Sequence, residues 1–375
     1  MRDGIGKALN GVLKAGCYKD EGKKAKQAVL FPALEAEIKT KMDKLDAGYL
    51  WPDHAARESK AYIDELEKEL VGKGRVGGTA EEQQRFFRGV CAENPTVFWL
   101  DGCRMPRVKD YEVHLEQKPG AKSVRRQPFP LSPYDDRRVE YHIHENIFYE
   151  RMEAVDATID GLPEWTTPAF MVDQDAKGLL GRLVCAYGPV NDAVIPGGFA
   201  AADPEAAFHA CAGKSHHSTI DALSGFHQFV LDEETRRLLT VVTRAGLYRW
   251  TVLPFGPAHG PPILQSFVHK HFDQLRDENN KPFVLALMDD IKVSSDSLEE
   301  HIGHMNQVCS RAKEKGFEFK SSKSRLNFPD CERWGFVCDK DGRRAAPKKC
   351  DQLAEWPVPA TANELTSFLQ FAQYL

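Results

Sequence analysis

The sequence predicts an α+β fold, an antiparallel sheet with helices on one face, preceded by a helical N-terminal extension. Three observations carry this. From Ser218 onward the segments run strand, strand pair, helix, hairpin, helix, strand. That order fits the split β-α-β-β-α-β arrangement of ferredoxin-like domains. Apolar residues recur at helical spacing within residues 22–70. In Phe283–Val293, FVLALMDDIKV, two apolar runs flank Asp289 and Asp290, which reads as a β-hairpin with both carboxylates at its tip.

The 375 residues exceed one typical domain, and the 42% hydrophobic share is enough for real cores. A net charge of −5 gives no general attraction to polyanions, so such a partner must be met by local basic patches. The nine cysteines are odd in number and form no C-x-x-C pair. This argues against a disulfide framework or a zinc ribbon and for reduced thiols in an intracellular protein. No apolar run is long enough to span a membrane. The N-terminus, MRDGIGKALNGVLKAGC, lacks the apolar core of a signal peptide.

In chain order, Leu30, Leu34 and Ile38, then Ile63, Leu66 and Leu70, mark surface helices, with breaks expected at Pro32 and Pro52. Val71–Ala80 is Gly-rich and charged, the composition of a flexible linker. Residues 1–80 thus form a helical extension plus linker. Residues 81–160 begin with a helix at Glu81–Ala92. A proline-rich basic stretch from Pro95 to Pro133 reads as an extended arm. Its charge suits either a solvated face or a phosphate backbone. A helix over 136–156 follows. Residues 161–345 hold paired strands at Ala169–Val172 and Leu183–Tyr187, a loop at 195–202, and a strand ending at Asp221. A strand pair lies around Arg244-Ala245-Gly246. A helix spans Pro261–Leu275, and another spans Leu298–Gly316, closed by glycine. Residues 346–375 end inside an amphipathic helix.

Adjacent carboxylates repel, so water or a cation must offset the charge of Asp289-Asp290, and Mg²⁺ suits such oxygen ligands. His209, Cys211, His216 and His217 match no standard zinc spacing. His301 and His304 share a helical face, expected on a surface helix. Arg311, Lys313, Lys315, Lys320, Lys323 and Arg325 form a candidate basic patch.

A series of ordered blocks resembles the reverse transcriptase of Ty3/Gypsy-type LTR retroelements. The blocks are IDALSGFHQFV (Ile220–Val230), YRWTVLPFGPAHGPPILQ (Tyr248–Gln265), LMDDI (Leu287–Ile291), GFEFKSSK (Gly316–Lys323) and WGFVCDKDG (Trp334–Gly342). The segment from Glu355 to Leu375 is similar to the one that follows in such polyproteins, and Tyr111–Pro133 to the stretch leading into the fingers. The resemblance covers roughly residues 82–375 and implies right-hand fingers and palm with a partial thumb.

The resemblance further implies an RNA-directed DNA polymerase that extends a primer on an RNA or DNA template with deoxynucleoside triphosphates. Two Mg²⁺ (or Mn²⁺) ions about 3.5–4 Å apart hold the attacking and leaving oxygens in such chemistry. It assigns Asp221, Asp289 and Asp290 to catalysis and metal binding. Nucleotide binding falls to Arg182, Ala222, Phe226, Phe255, Gly256, Gln265 and Lys323, with Phe226 excluding a 2′-hydroxyl. Trp334 and Gly335 form the primer grip. Ribonuclease H and integrase modules are expected downstream, and the setting is cytoplasmic or particle-associated.

The chain departs from the family pattern at Leu287, where Tyr is usual, and at Asp173, Gln174 and Asp175, which replace a lysine cluster. These departures motivate an alternative: a catalytically decayed retroelement fragment that only binds nucleic acid. A metal-dependent phosphohydrolase using the same aspartates is a second alternative.

Overall fold

In the computed structural model, residues 21–198, 208, 211–333 and 335–374 are described. Among them the chain divides into two units. The first draws on residues up to 50, 110–198 and 226–260; the second on 51–109, 199–225 and 261 onward.

The second unit is built on a four-stranded sheet of β1 (His216–Asp221), β2 (Val284–Leu287), β3 (Asp290–Ser295) and β4 (Arg325–Phe328). The order is β2-β3-β1-β4, with every neighbouring pair antiparallel. Helix α1 (Gly260–His271) precedes β2, and α2 (Leu298–Lys315) joins β3 to β4. This is the split β-α-β-β-α-β arrangement, with residues 226–260 of the other unit inserted after β1. Ile220, Ile291 and Val293 are fully buried in it. Helix α2 starts at Ser297, whose side chain accepts from the Glu300 N–H, and ends at left-handed Gly316.

The first unit holds a five-stranded sheet in the order Met152–Ala154, Gly246–Trp250, Val241–Thr243, Thr167–Val172, Arg182–Cys185. The expected helix over 136–156 is Pro133–Phe148, followed by the strand Met152–Ala154. The helix Glu21–Asp46 packs Leu34 and Ile38 against Tyr134, Tyr141 and Leu180.

Four expectations are corrected. Pro32 does not break its helix, which runs unbroken from Glu21 to Asp46. The burial of Leu34 and Ile38 just beyond it outweighs the lost hydrogen bond. The Gly-rich 71–80 stretch is packed rather than free: Val76 is 1% exposed and bridges to Leu326. Residues 116–132 of the proline-rich stretch run extended with none buried, as expected, but its first part is no open arm. Val97, Phe98, Trp99 and Cys103 are buried, and Phe98–Trp99 pairs in parallel with Phe319–Lys320. Its prolines punctuate chain that is held by partners far along the sequence.

His301 and His304 are the fourth correction. They lie on the buried stripe of α2 with Met305, Val308, Cys309 and Ala312. His301 shares hydrogen bonds with Ser218 Oγ (2.8 Å) and Ser295 Oγ (2.9 Å), and His304 with Ser295 Oγ (2.8 Å). The Phe283 ring stacks on His304 at 3.9 Å. Serines on β1 and β3 thus engage both nitrogens of His301 and Nδ1 of His304, which pins α2 to the sheet. Burial, then His216, His217 and His304, hold His301 well below the usual histidine value. Burial, partly opposed by Glu300, lowers His304.

A folded-state value below that of the unfolded chain means the unfolded chain binds protons first as pH falls. This stabilisation is therefore present above about pH 6.5 and lost below it, as pH falls through the lowered folded-state values. The thermal midpoint, followed by circular dichroism, is expected to fall between pH 7 and pH 5. His301→Gln is expected to flatten that fall. An unchanged slope in the variant would show that the pH response arises elsewhere.

Candidate active site

Asp221 ends β1, and its Cα register partner on β3 is Asp290. The β2–β3 hairpin closes on the pair Leu287 and Asp290, so its two-residue turn is Met288-Asp289, one residue earlier than the sequence suggests. The shift has a physical cause. Met288 adopts φ +54°, uncommon outside glycine, and its N–H is taken by Gln265 Oε1 at 2.8 Å. The same Gln265 donates from Nε2 to the Ala286 carbonyl at 3.2 Å. Gln265, expected in the wall of a nucleotide pocket, therefore clamps the hairpin.

The turn is also tied to β1. The N–H of Ala222 donates to the Asp289 carbonyl at 2.7 Å. A Cβ at Gly225 would overlap Asp289 Oδ1 and lie 2.9 Å from Leu264 Cδ2, so a side chain there would push the Asp289 carboxylate aside. Burial first, then the charges of Asp221 and Asp290, raise the Asp289 carboxyl above the ordinary aspartate range, with Lys323 opposing. Oδ1 of Asp289 is buried and has no hydrogen-bond partner among the described residues.

Lys323 Nζ reaches both Asp221 oxygens, at 3.0 and 3.2 Å. Asp290 lies 3.4 Å from Lys292, two residues along the same strand face. Lys292 is itself buried and also donates to the Glu332 carbonyl. Gly225 and Lys292 carry structural roles that sequence reading missed. Gly225 stood inside a quoted block, and the i, i+2 spacing of Asp290 and Lys292 was the signal for the second.

Among the described residues, no group of three or more His, Cys, Asp or Glu is gathered to hold a metal ion. The donor set that fits a hard divalent cation is the Asp221 and Asp289 pair: mutually repelling carboxylates, one with an unpaired buried oxygen.

The remaining nucleotide-pocket candidates lie in the first unit. The Arg182 guanidinium sits 4.4 Å from the Phe255 ring centroid, and Phe226 packs on Phe255 at 5.1 Å. Gly256 takes φ +117°, and its carbonyl accepts from Asn191 Nδ2 at 3.2 Å. Arg182, Phe255 and Gly256 border a cavity of about 450 Å³ together with Asp173 and Gln174. Asp173 is paired with Arg138 at 2.9 Å, so its negative charge is compensated.

Trp334 lies outside the described residues. Gly335, at φ +78°, turns between the strands Asp330–Arg333 and Phe336–Asp339. The basic patch is largely engaged. Lys313 pairs with Glu58, Lys315 with Glu314 and Arg325 with Asp330, while Lys320 lies over the Trp99 ring. No helix of the described residues is long and apolar enough to cross a membrane.

Residues 184–351 match the family described as reverse transcriptase (RNA-dependent DNA polymerase). The chain is 26% identical over 262 residues to the enzymatic polyprotein of Cauliflower mosaic virus (strain NY8153), covering 69% of this chain and 35% of that protein. It is 26% identical over 214 residues to the Pol polyprotein from transposon gypsy of Drosophila melanogaster, covering 56% of this chain and 20% of that one. It therefore spans about a third or less of the length of these curated relatives. A foamy viral protease-reverse transcriptase solved with double-stranded DNA shares the fold. The TM-score is 0.68 at 18% identity, over 83% of this chain and 52% of that one.

Asp289→Asn removes a buried, repelled charge. A carboxyl raised in the folded state adds stability at low pH and costs stability as pH rises through its raised value. At pH 8 the variant is expected to melt roughly 2–4 °C above the parent, a gap closing toward pH 4. Equal midpoints at pH 8 would refute the repulsion. Gly225→Ala is expected to lower the midpoint by crowding Asp289.

Proposed function

We propose that the chain, whose residues 184–351 match the reverse transcriptase family, is the RNA-directed DNA polymerase core of an LTR retroelement. The observation that carries the reading is the junction of β1 with the hairpin, which sets Asp221 beside Asp289 through the Ala222 N–H. The reaction joins a primer 3′-hydroxyl to the α-phosphate of a deoxynucleoside triphosphate on an RNA or DNA template.

Reverse transcriptases use divalent metals, and we assign Asp221 and Asp289 to hold two Mg²⁺ or Mn²⁺ ions, with Asp290 as supporting carboxylate. Such ions, when bound, neutralise charge on the attacking and leaving oxygens. Asp289, with its value raised, must be deprotonated to act as a ligand. Lys323, now on Asp221, is a cation available to the leaving pyrophosphate. Arg182 is assigned to the triphosphate, which a guanidinium meets bidentately. Phe226 is assigned to sugar selection, with Ala222, Phe255 and Gly256 completing the nucleotide contacts. Gln265 supports them by holding the hairpin. Trp334 and Gly335 are assigned to the primer end. The eight described cysteines are free thiols, which supports a reducing, intracellular setting.

Primer extension on purified protein tests this. Asp221→Asn and Asp289→Asn are each expected to lower nucleotide incorporation about 10²–10³-fold or more. No extension by the parent protein, with nucleic-acid binding retained, would favour the decayed fragment. Nuclease activity without incorporation would favour the phosphohydrolase. Phe226→Ala is expected to admit ribonucleotides, and unchanged sugar selection would remove that assignment.

A further inference from the structure

A cavity of about 200 Å³ in the second unit is lined by residues from 51–57, 96–109 and 312–318. None of the residues assigned above to catalysis, nucleotide binding or the primer grip lines it. Its wall carries five cationic side chains, Arg57, Arg104, Arg107, Lys109 and Lys313, against two acidic ones, Asp53 and Glu318. Arg57 is compensated by Glu318 and Lys313 is shared with Glu58, in a chain whose net charge is −5.

The cavity has a fixed polar floor. Arg57 is 4% exposed and held bidentately by Glu318, at 2.8 and 2.9 Å, while its Nη2 also donates to the Thr96 carbonyl at 2.6 Å. Nε of Arg57 and Oγ1 of Thr96 remain buried without a hydrogen-bond partner among the described residues. Thr96 is 1% exposed. Unpaired buried polar groups cost stability and are rare in native proteins. Two such donors belong to residues of one cavity wall, beside its cationic side chains. Burial, then Arg57, Lys109 and Lys313, lower His54 below the usual histidine value, with Glu58 opposing. His54 thus presents a neutral ring to the site at neutral pH. At the rim, Lys313 is shared with Glu58 at 3.5 Å.

We propose that this cavity binds a phosphate group, either free or as the terminal phosphate of an oligonucleotide. A tetrahedral oxyanion offers acceptors on several sides at once, which matches donors contributed by three separate chain segments. Guanidinium groups favour phosphate for the same geometric reason. The site is independent of the polymerase reading, because its binding requires none of the aspartates.

The test is isothermal titration calorimetry on the full chain at constant ionic strength. The probes are inorganic phosphate, a 5′-phosphorylated oligonucleotide and the same oligonucleotide with a 5′-hydroxyl. Saturable binding of inorganic phosphate is expected, with Kd raised about tenfold by Thr96→Val and by Lys109→Ala. Preference for the 5′-phosphate over the 5′-hydroxyl oligonucleotide, lost in both variants, would identify a nucleic-acid end as the ligand. Equal binding of the two oligonucleotides, with variant-sensitive phosphate binding, would identify the free anion. Absence of phosphate binding, or binding unchanged in both variants, overturns the proposal. Thr96 is buried, so if its variant fails to fold the exposed Lys109→Ala decides alone.

Discussion

The pairing of β1 with β3 is the constraint on which the site depends. Their register runs without a bulge from Asp290 opposite Asp221 to Ser295 opposite His216. A slip of one residue would turn every side chain of one strand to the other face. It would expose Ile291 and Val293 and draw the carboxylates apart. The apolar residues that stabilise the sheet therefore also set the acidic junction. The hairpin turn is held from two directions, by the Ala222 N–H and by both ends of the Gln265 amide. Such fixing keeps a destabilised carboxylate in place, as functional sites often require.

Charge in the first unit follows a related logic. The acidic residue Asp173 stands where the sequence alone suggests repulsion of a triphosphate. Arg138, almost fully buried, meets it and is anchored in turn by Asp135 at 2.9 Å and the Leu180 carbonyl at 3.0 Å. The local sign near Arg182 is therefore less negative than the 173–175 sequence implies.

Much of the second unit's topology was legible because its signals are local. The apolar runs around Asp289-Asp290, the helical spacing of α2 and the glycine after it each lie within one element. Legibility ended where a residue's partner is distant. Glu318 lies 261 positions from Arg57, and nothing near either residue announces a buried ion pair. His301 and His304 read as surface residues because their serine partners lie on strands. Val76 sits among glycines, yet it is fixed by Leu326. Within the site, the aspartates stood out by residue type. The roles of Gln265, Gly225 and Lys292 emerged only with the hairpin's three-dimensional path.

The interleaving of the two units bears on synthesis at the ribosome. The chain passes from one unit to the other at residues 50, 109, 198, 225 and 260, so each is assembled from discontinuous segments. The last segment of the first unit is translated by residue 260. Strand β1 must wait far longer for its outer neighbour: Ser218 bonds the Asn327 N–H, 109 positions onward. Both edges of this central strand are open until β3 (Asp290–Ser295) is made, and one stays open until β4 follows, a state prone to pairing with other nascent chains. Rapid elongation across residues 221–328 shortens that exposure, and chaperone cover shields it.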